Sequence, residues 1–273
     1  MIFRNFLGGT MGVLALAAAA QPAHAAGDLL VAPTRVVLDN ERGAEVILNN
    51  IGDEPATYRI SLELKRMTAA GQLDDVATEG ANALEAAALE MIQYSPRRVT
   101  LPPNQPQTVR IAIRKPDSLP DGEYRAHMLF RAIPDATPAE ARPKSAGGVS
   151  IAITPIYGIT IPIIVRHGEL KATAAIANPK LLRRGAEAAL SFDLARSGSG
   201  SVYGEIRILA PGEKEPVLLA RGLAVYPELG MRNVTMALDP AQLAKFQGPV
   251  TIQYLAGGDD EPATLAEYKG VIQ

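Results

Sequence analysis

The chain has no cysteine and no tryptophan, few aromatics and only three histidines in 273 residues. Without cysteine, neither a disulfide framework nor a thiolate metal site can form. The missing tryptophan and scarce aromatics disfavour a sugar-stacking surface. Charge is nearly balanced, with 27 basic against 29 acidic residues, so there is no electrostatic footprint for nucleic acid. No Gly-rich phosphate loop occurs. The run Ser197-Gly198-Ser199-Gly200-Ser201 lacks the strand–elbow–helix setting of a nucleophile and reads as punctuation between strands. The acidic pairs Asp74-Asp75 and Asp259-Asp260 fall in expected loops. His127 and His167 show no spacing that suggests a shared metal with converging carboxylates. No catalytic set, metal site or cofactor motif stands out, and the chain is read as a non-enzyme.

What the sequence does contain begins with a leader. Arg4 precedes an apolar, small-residue run over residues 6–20, and Ala23-His24-Ala25 supplies an A-x-A cleavage signal. Residues 1–25 are therefore expected to be an export signal. The run is too short for a membrane span, and no second run of about 18 apolar residues follows. An exported product, not embedded in a membrane, is expected. Cleavage leaves about 248 residues, enough for one large domain or two sandwich-sized ones.

Period-two alternation dominates that portion. Tyr58, Ile60, Leu62 and Leu64 alternate with polar neighbours, as do Val109, Ile111 and Ile113. The same holds for Leu190, Phe192 and Leu194, and for Val234, Met236 and Leu238. Such patterns mean antiparallel strands with one dry and one wet face. Turn residues punctuate them at Gly52-Asp53-Glu54-Pro55, Pro120-Asp121-Gly122 and Pro211-Gly212. The expected fold class is all-β, with sandwiches. The best boundary is His167-Gly168, giving residues 26–167 and 168–273 as two domains. Helix is expected only over residues 81–91 and after the Asp239-Pro240 cap, both as insertions outside the core. Residues 67–80 and 136–148 read as loose connections.

The longest signal is residues 149–166. Val149, Ile151, Ile153, Pro155, Tyr157, Ile159, Ile161 and Ile163 are all apolar, and the positions between them are mostly small or polar. Successive side chains of a strand point to opposite faces, so this is a β ribbon with one oily face. An exposed ribbon of this kind is a hazard unless something pairs with it. The expected partner is another protein. Arg35 is the second candidate. It sits within the apolar run LLVAPTRVVLDN. A strand arginine either faces solvent or, flanked by apolar residues, offers a forked grip on a carboxylate.

In order along the chain, several segments resemble those of the PapD-like periplasmic pilus chaperones. APTRVVLDN resembles the family's first strand, and SPRRVTLPPNQPQTVRI its Pro–strand–turn–Arg segment. LPDGEYRAHMLFRAIP resembles the strand ending in Arg-x-Ile-Pro, and IPIIVR the end of the donor strand. RSGSGSVYGEIRI is closer to divergent chaperones of archaic chaperone–usher systems.

The resemblance implies two immunoglobulin-like domains arranged as a boomerang. It implies a periplasmic chaperone for fimbrial or pilus subunits, with delivery to an outer-membrane usher. The mechanism is donor-strand complementation, an intermolecular strand addition. Val149, Ile151, Ile153, Tyr157 and Ile159 would be the donor side chains, and Arg35 would anchor the subunit's carboxylate. Three or four such side chains would contribute on the order of 5–10 kcal/mol before the cost of association. Glu123 and Arg166 would form an interdomain ion pair. The family's lysine in the donor strand is replaced by Pro162, so either another basic residue, Arg97 or Arg98, completes the carboxylate site or this subfamily grips the carboxylate differently. Without a client the open ribbon would self-associate. The competing reading from the same fold is an exported two-sandwich module that binds surface glycan or an envelope protein through its loops.

Overall fold

The computed structural model describes residues 29–39, 43–134, 156–185, 187–246, 248–257 and 262–272. The expected leader (1–25) and the donor residues Val149, Ile151 and Ile153 lie outside the described residues, as does the 136–148 connection.

The first sandwich pairs two sheets. One takes Leu29–Ala32 (β1), Gly43–Asn50 (β3), Pro106–Ile113 (β8) and Ile92–Ser95 (β6), in that order. The other takes Val36–Asp39 (β2), Gly158–His167 (β10), Gly122–Ile133 (β9), Ala56–Met67 (β4) and Leu73–Val76 (β5). Arg98–Leu101 (β7) also pairs with β4. Alternation sets the faces. Val46 and Leu48 of β3, Val109 and Ile111 of β8, and Tyr124, Ala126, Met128 and Phe130 of β9 all enter one core. That is the geometry of antiparallel strands buried on one side.

The second sandwich holds Ala172–Arg184 (β11), Glu187–Gly198 (β12) and Met231–Leu238 (β15) in one sheet. Leu218–Val225 (β14), Val202–Leu209 (β13), Pro249–Ala256 (β16) and Thr264–Val271 (β17) form the other. Leu190, Phe192, Ile206, Ile252 and Tyr254 fill its core. The fold is thus all-β, in two successive sandwiches. Gly168, at φ +74, turns the chain between β10 and β11.

Three sequence expectations change. First, helix α1 (Ala83–Met91) is no insertion outside the core, because Ala88 and Met91 are buried within it. Its N-terminus is closed by a capping box between Asn82 and Glu85, which satisfies two otherwise orphaned N–H groups. Arg66 of β4 then grips Glu85 through two bonds of 2.7 and 2.6 Å. The shorter helix α2 (Pro240–Lys245) buries no residue fully and sits on the outside, as expected.

Second, residues 67–80 are not all loose. The chain turns at Gly71 and returns as β5 against β4. Third, the described part of the oily ribbon belongs to its own sandwich. Ile156 and Tyr157 are exposed and lie outside any strand. From Gly158 onward the strand is β10, and Ile161, Ile163 and Val165 are sealed in its own core. Ile159, grouped with the donor side chains by parity, packs partly buried against that core. The period is the same along the whole ribbon, so parity alone could not separate a lent face from a domestic one.

Candidate functional site at the junction of the sandwiches

The odd–even logic that fills the first core also decides what faces the second sandwich. Val36 and Leu38 of β2 point inward, so Arg35 and Val37 point the other way. In β9 the inward Tyr124, Ala126 and Met128 leave Glu123, Arg125 and His127 on the outer face. In β10 that face carries Ile164 and Arg166. The second sandwich covers it with Tyr203, Ala224, Tyr226 and Leu229, which pack with Met67 and Ile164 in a small apolar cluster.

Glu123 and Arg166 are cross-strand neighbours, with Nε 3.2 Å from Oε2. Both belong to the first sandwich, so this pair does not itself span the junction. The span is made by Ser201, whose N–H (3.0 Å) and hydroxyl (2.8 Å) both donate to the same carboxylate oxygen. The Glu123 carboxylate is completely buried; three donors on Oε2 compensate part of its lost hydration, while Oε1 has no hydrogen-bond partner among the described residues. Arg166 also lies 3.6 Å from Asp39.

The ion pair that does cross the junction is Arg125 with Glu228. The guanidinium donates at 2.6 and 3.1 Å, one bond to each carboxylate oxygen, and a further bond goes to the Lys65 carbonyl at 3.0 Å. Glu228 in turn accepts the Met67 N–H at 2.9 Å. Arg125 lies 3.7 Å from the Tyr226 ring centre, a cation–π contact. Beside it, His127 is 1 % exposed, and neither ring nitrogen has a hydrogen-bond partner among the described residues. Burial, then Arg125, Lys65 and Arg35, push its pKa down to about 3, so the imidazole is neutral. The same burial raises the Tyr226 phenol, against an opposing pull from Arg35 and Arg125.

Arg35 differs from its two neighbours on this face. Its guanidinium lies 4.3 Å from the Tyr203 ring centre and 5.8 Å from that of Tyr226. It makes two long hydrogen bonds, 3.4 Å to the Tyr226 hydroxyl and 3.5 Å to Ser201 Oγ. Arg125 and Arg166 each hold carboxylates, but Arg35 has none among the described residues. It borders a cleft of about 370 Å3 shared with Val37, Asp39, Arg166, Ser201 and Tyr203.

The open edge of β10 reaches the same place. β9 pairs with β10 along its whole length, but β2 covers the opposite edge only from Ile163 to Arg166. Among the described residues, no strand pairs with that edge from Gly158 to Pro162. Arg35 immediately precedes β2 and so stands where the open edge meets the covered one.

Pro162 is the cross-strand partner of His127 and brings no charge. Arg97 and Arg98 do not compensate for it. Arg97 stacks on Tyr94 at 4.7 Å and donates to its hydroxyl, and Arg98 is exposed on β7; neither lines the cleft. The sequence reading missed Arg125, Glu228, Ser201, Tyr203 and Tyr226. The strand phase of Arg125 was readable from YRAHMLF, but its partner belongs to another sandwich and has no local signature. Among the described residues no group of three metal-ligating side chains occurs, and no helix is long and apolar enough to cross a membrane.

No family model matches the chain, and no curated protein matches it. Solved structures resemble it. The YadV chaperone is 14% identical with a TM-score of 0.48, covering 89% of this chain and 99% of that one. A chain of the CsuC–CsuE chaperone–tip adhesion subunit pre-assembly complex, from archaic chaperone-usher Csu pili of Acinetobacter baumannii, is 12% identical. Its TM-score is 0.47, with 88% and 99% of the two chains covered. The Pseudomonas aeruginosa CupB2 chaperone is 14% identical with a TM-score of 0.46, covering 89% and 100%.

Proposed function

We propose that this protein is a periplasmic chaperone that binds and caps fimbrial or pilus subunits by lending them a strand, then delivers them to an outer-membrane usher. One conjunction carries the reading: Arg35, a guanidinium that meets no carboxylate among the described residues, stands beside an edge of β10 that no described strand covers. A main-chain edge without a partner is a template for another chain. An arginine at its end suits a terminal carboxylate, which it grips in a fork. For that terminus to meet Arg35, the visiting strand must run along β10 in the same direction, as β2 does.

Donor side chains Val149, Ile151, Ile153 and Tyr157 would then enter the subunit's groove. Tyr157 is already exposed at the start of that path, as is Ile156. Glu123, Arg166 and Ser201 would fix the junction that presents Arg35.

The test is co-expression with a subunit encoded beside the chaperone gene. A 1:1 complex is expected from the unaltered chain. Changing Ile151 and Ile153 together to Asp should abolish it, and Arg35→Ala should weaken it at least ten-fold. A complex that survives the double change intact would overturn the donor-strand reading.

A further inference from the structure

Among the described residues, the carboxylate site assigned to Arg35 contains one cation that meets no carboxylate, and the residues around it explain how one suffices. A free arginine side chain is flexible, and ordering it on binding costs conformational entropy. Here the guanidinium already has a place. It rests against the Tyr203 ring at 4.3 Å, with Tyr226 at 5.8 Å and its hydroxyl 3.4 Å from Nη1. Contact with a ring face leaves the N–H groups at the rim of the planar guanidinium available to a ligand. The two hydrogen bonds it does make are long, so they orient it while satisfying little of its five-donor capacity.

The ring itself is set by the backbone behind it. Tyr203 is in β13, and its carbonyl accepts the Gly257 N–H at 3.3 Å. A Cβ built on Gly257 would stand 2.9 Å from Tyr203 Cε1 and 3.1 Å from Cδ1. A side chain at 257 would therefore push the ring aside by a few tenths of an ångström. Nearby charge sharpens the site for a single anion. Arg166 is occupied by Glu123 and Asp39, so an incoming carboxylate finds its free cation at Arg35.

We infer that Tyr203, seated on Gly257 and assisted by Tyr226, is a positioning residue that pre-orients Arg35 for a carboxylate, in place of a second cation. This rests on the carboxylate-anchor reading of Arg35. It adds the second sandwich to that site, because both rings come from it. Binding at Arg35 then depends on the junction being closed.

Acetate is a sufficient probe, followed through the Arg35 Nε–Hε resonance of 15N-arginine-labelled protein at constant ionic strength against chloride. Acetate should move this resonance in the unaltered protein, and Arg35→Lys should abolish the response. Tyr203→Leu should weaken acetate by about ten- to thirty-fold, the cost of ordering a freed arginine side chain on binding. Tyr203→Phe, which keeps the ring, should bind as the unaltered protein does. Gly257→Ala should weaken binding less than Tyr203→Leu does, by shifting the ring without touching Arg35. If Tyr203→Leu binds acetate as tightly as the unaltered chain, the positioning role is overturned and Arg35 stands alone as the anchor. If acetate leaves the unaltered protein's resonance unmoved, the anchor reading fails, and the positioning role fails with it. Independently of any variant, nuclear Overhauser contacts between Arg35 Hε and the Tyr203 ring protons are expected, and their absence would also overturn the inference.

Discussion

Arg125 of the first sandwich and Glu228 of the second meet in a forked ion pair, and Glu228 also caps the Met67 N–H at the end of β4. Arg125 is 8 % exposed there, and Glu228 25 %. An interaction this enclosed acts mainly through the penalty for leaving one partner alone.

Glu228→Gln should therefore destabilise the junction. Stranding a buried charge costs about 3–5 kcal/mol, and the partial exposure of Glu228 lowers that to about 2 kcal/mol. Urea unfolding followed separately in the two sandwiches should show the transitions drawing apart. The double variant Arg125→Met with Glu228→Gln should recover part of the loss.

His127 makes stability depend on pH in a defined direction. Its folded pKa of about 3 lies below the ordinary 6.5, so the unfolded chain takes up the proton first. Stability supplied by the neutral ring is present above about pH 6.5 and is lost as pH falls toward 3. The loss from this group should reach a few kcal/mol near pH 4. The cations facing it, Arg125, Lys65 and Arg35, oppose the new charge. His127→Leu should flatten the urea midpoint between pH 6.5 and 4. An unchanged slope would count against His127 as its source.

The β4–β5 turn clasps the second sandwich. The Asn233 N–H donates to the Ala69 carbonyl at 2.7 Å, and a Cβ on Gly71 would stand 2.1 Å from Arg232 Nε. Gly71 also has φ +81. Gly71→Val adds a clash to a backbone penalty and should cost about 2–3 kcal/mol, with faster exchange of the Asn233 amide. Gly185, at φ +62 with nothing within 4 Å, is the control. Gly185→Ala should cost only about 1 kcal/mol and leave Asn233 protected.

Ile163 and Tyr157 should behave oppositely. Ile163 is fully buried in its own core, so Ile163→Ala should lose about 2–5 kcal/mol of stability. Tyr157 is 51 % exposed, and Tyr157→Ala should change stability by less than about 0.5 kcal/mol. Thermal unfolding compared with subunit capture separates the two. Loss of capture without loss of stability is expected only for Tyr157.

Strand phase was legible in the sequence wherever one face met the chain's own core, as at Val109 and Ile111 or Phe192 and Leu194. The junction was not, for a physical reason. Glu123, Arg125 and His127 alternate with Tyr124, Ala126 and Met128 as a solvated face would, and nothing local reveals that Tyr226 covers them. Arg35 stood out because its neighbours are apolar; the rings that hold it, Tyr203 and Tyr226, come from the second sandwich, the farther one 191 residues along the chain. β5 went unread because Leu73-Asp74-Asp75-Val76 is short and acidic, and its pairing is fixed by β4, with Lys65 bonded to Asp75. The ribbon was overextended at its far end, where the same alternation serves the protein's own interior.

Because β2 pairs with β10 from Ile163 to Arg166, a chain added alongside the open edge would meet β2 at Val36. On the proposed strand addition, a client's alignment would be counted backward from its own final residue, and a client trimmed or lengthened by a single residue would present the wrong side of its strand.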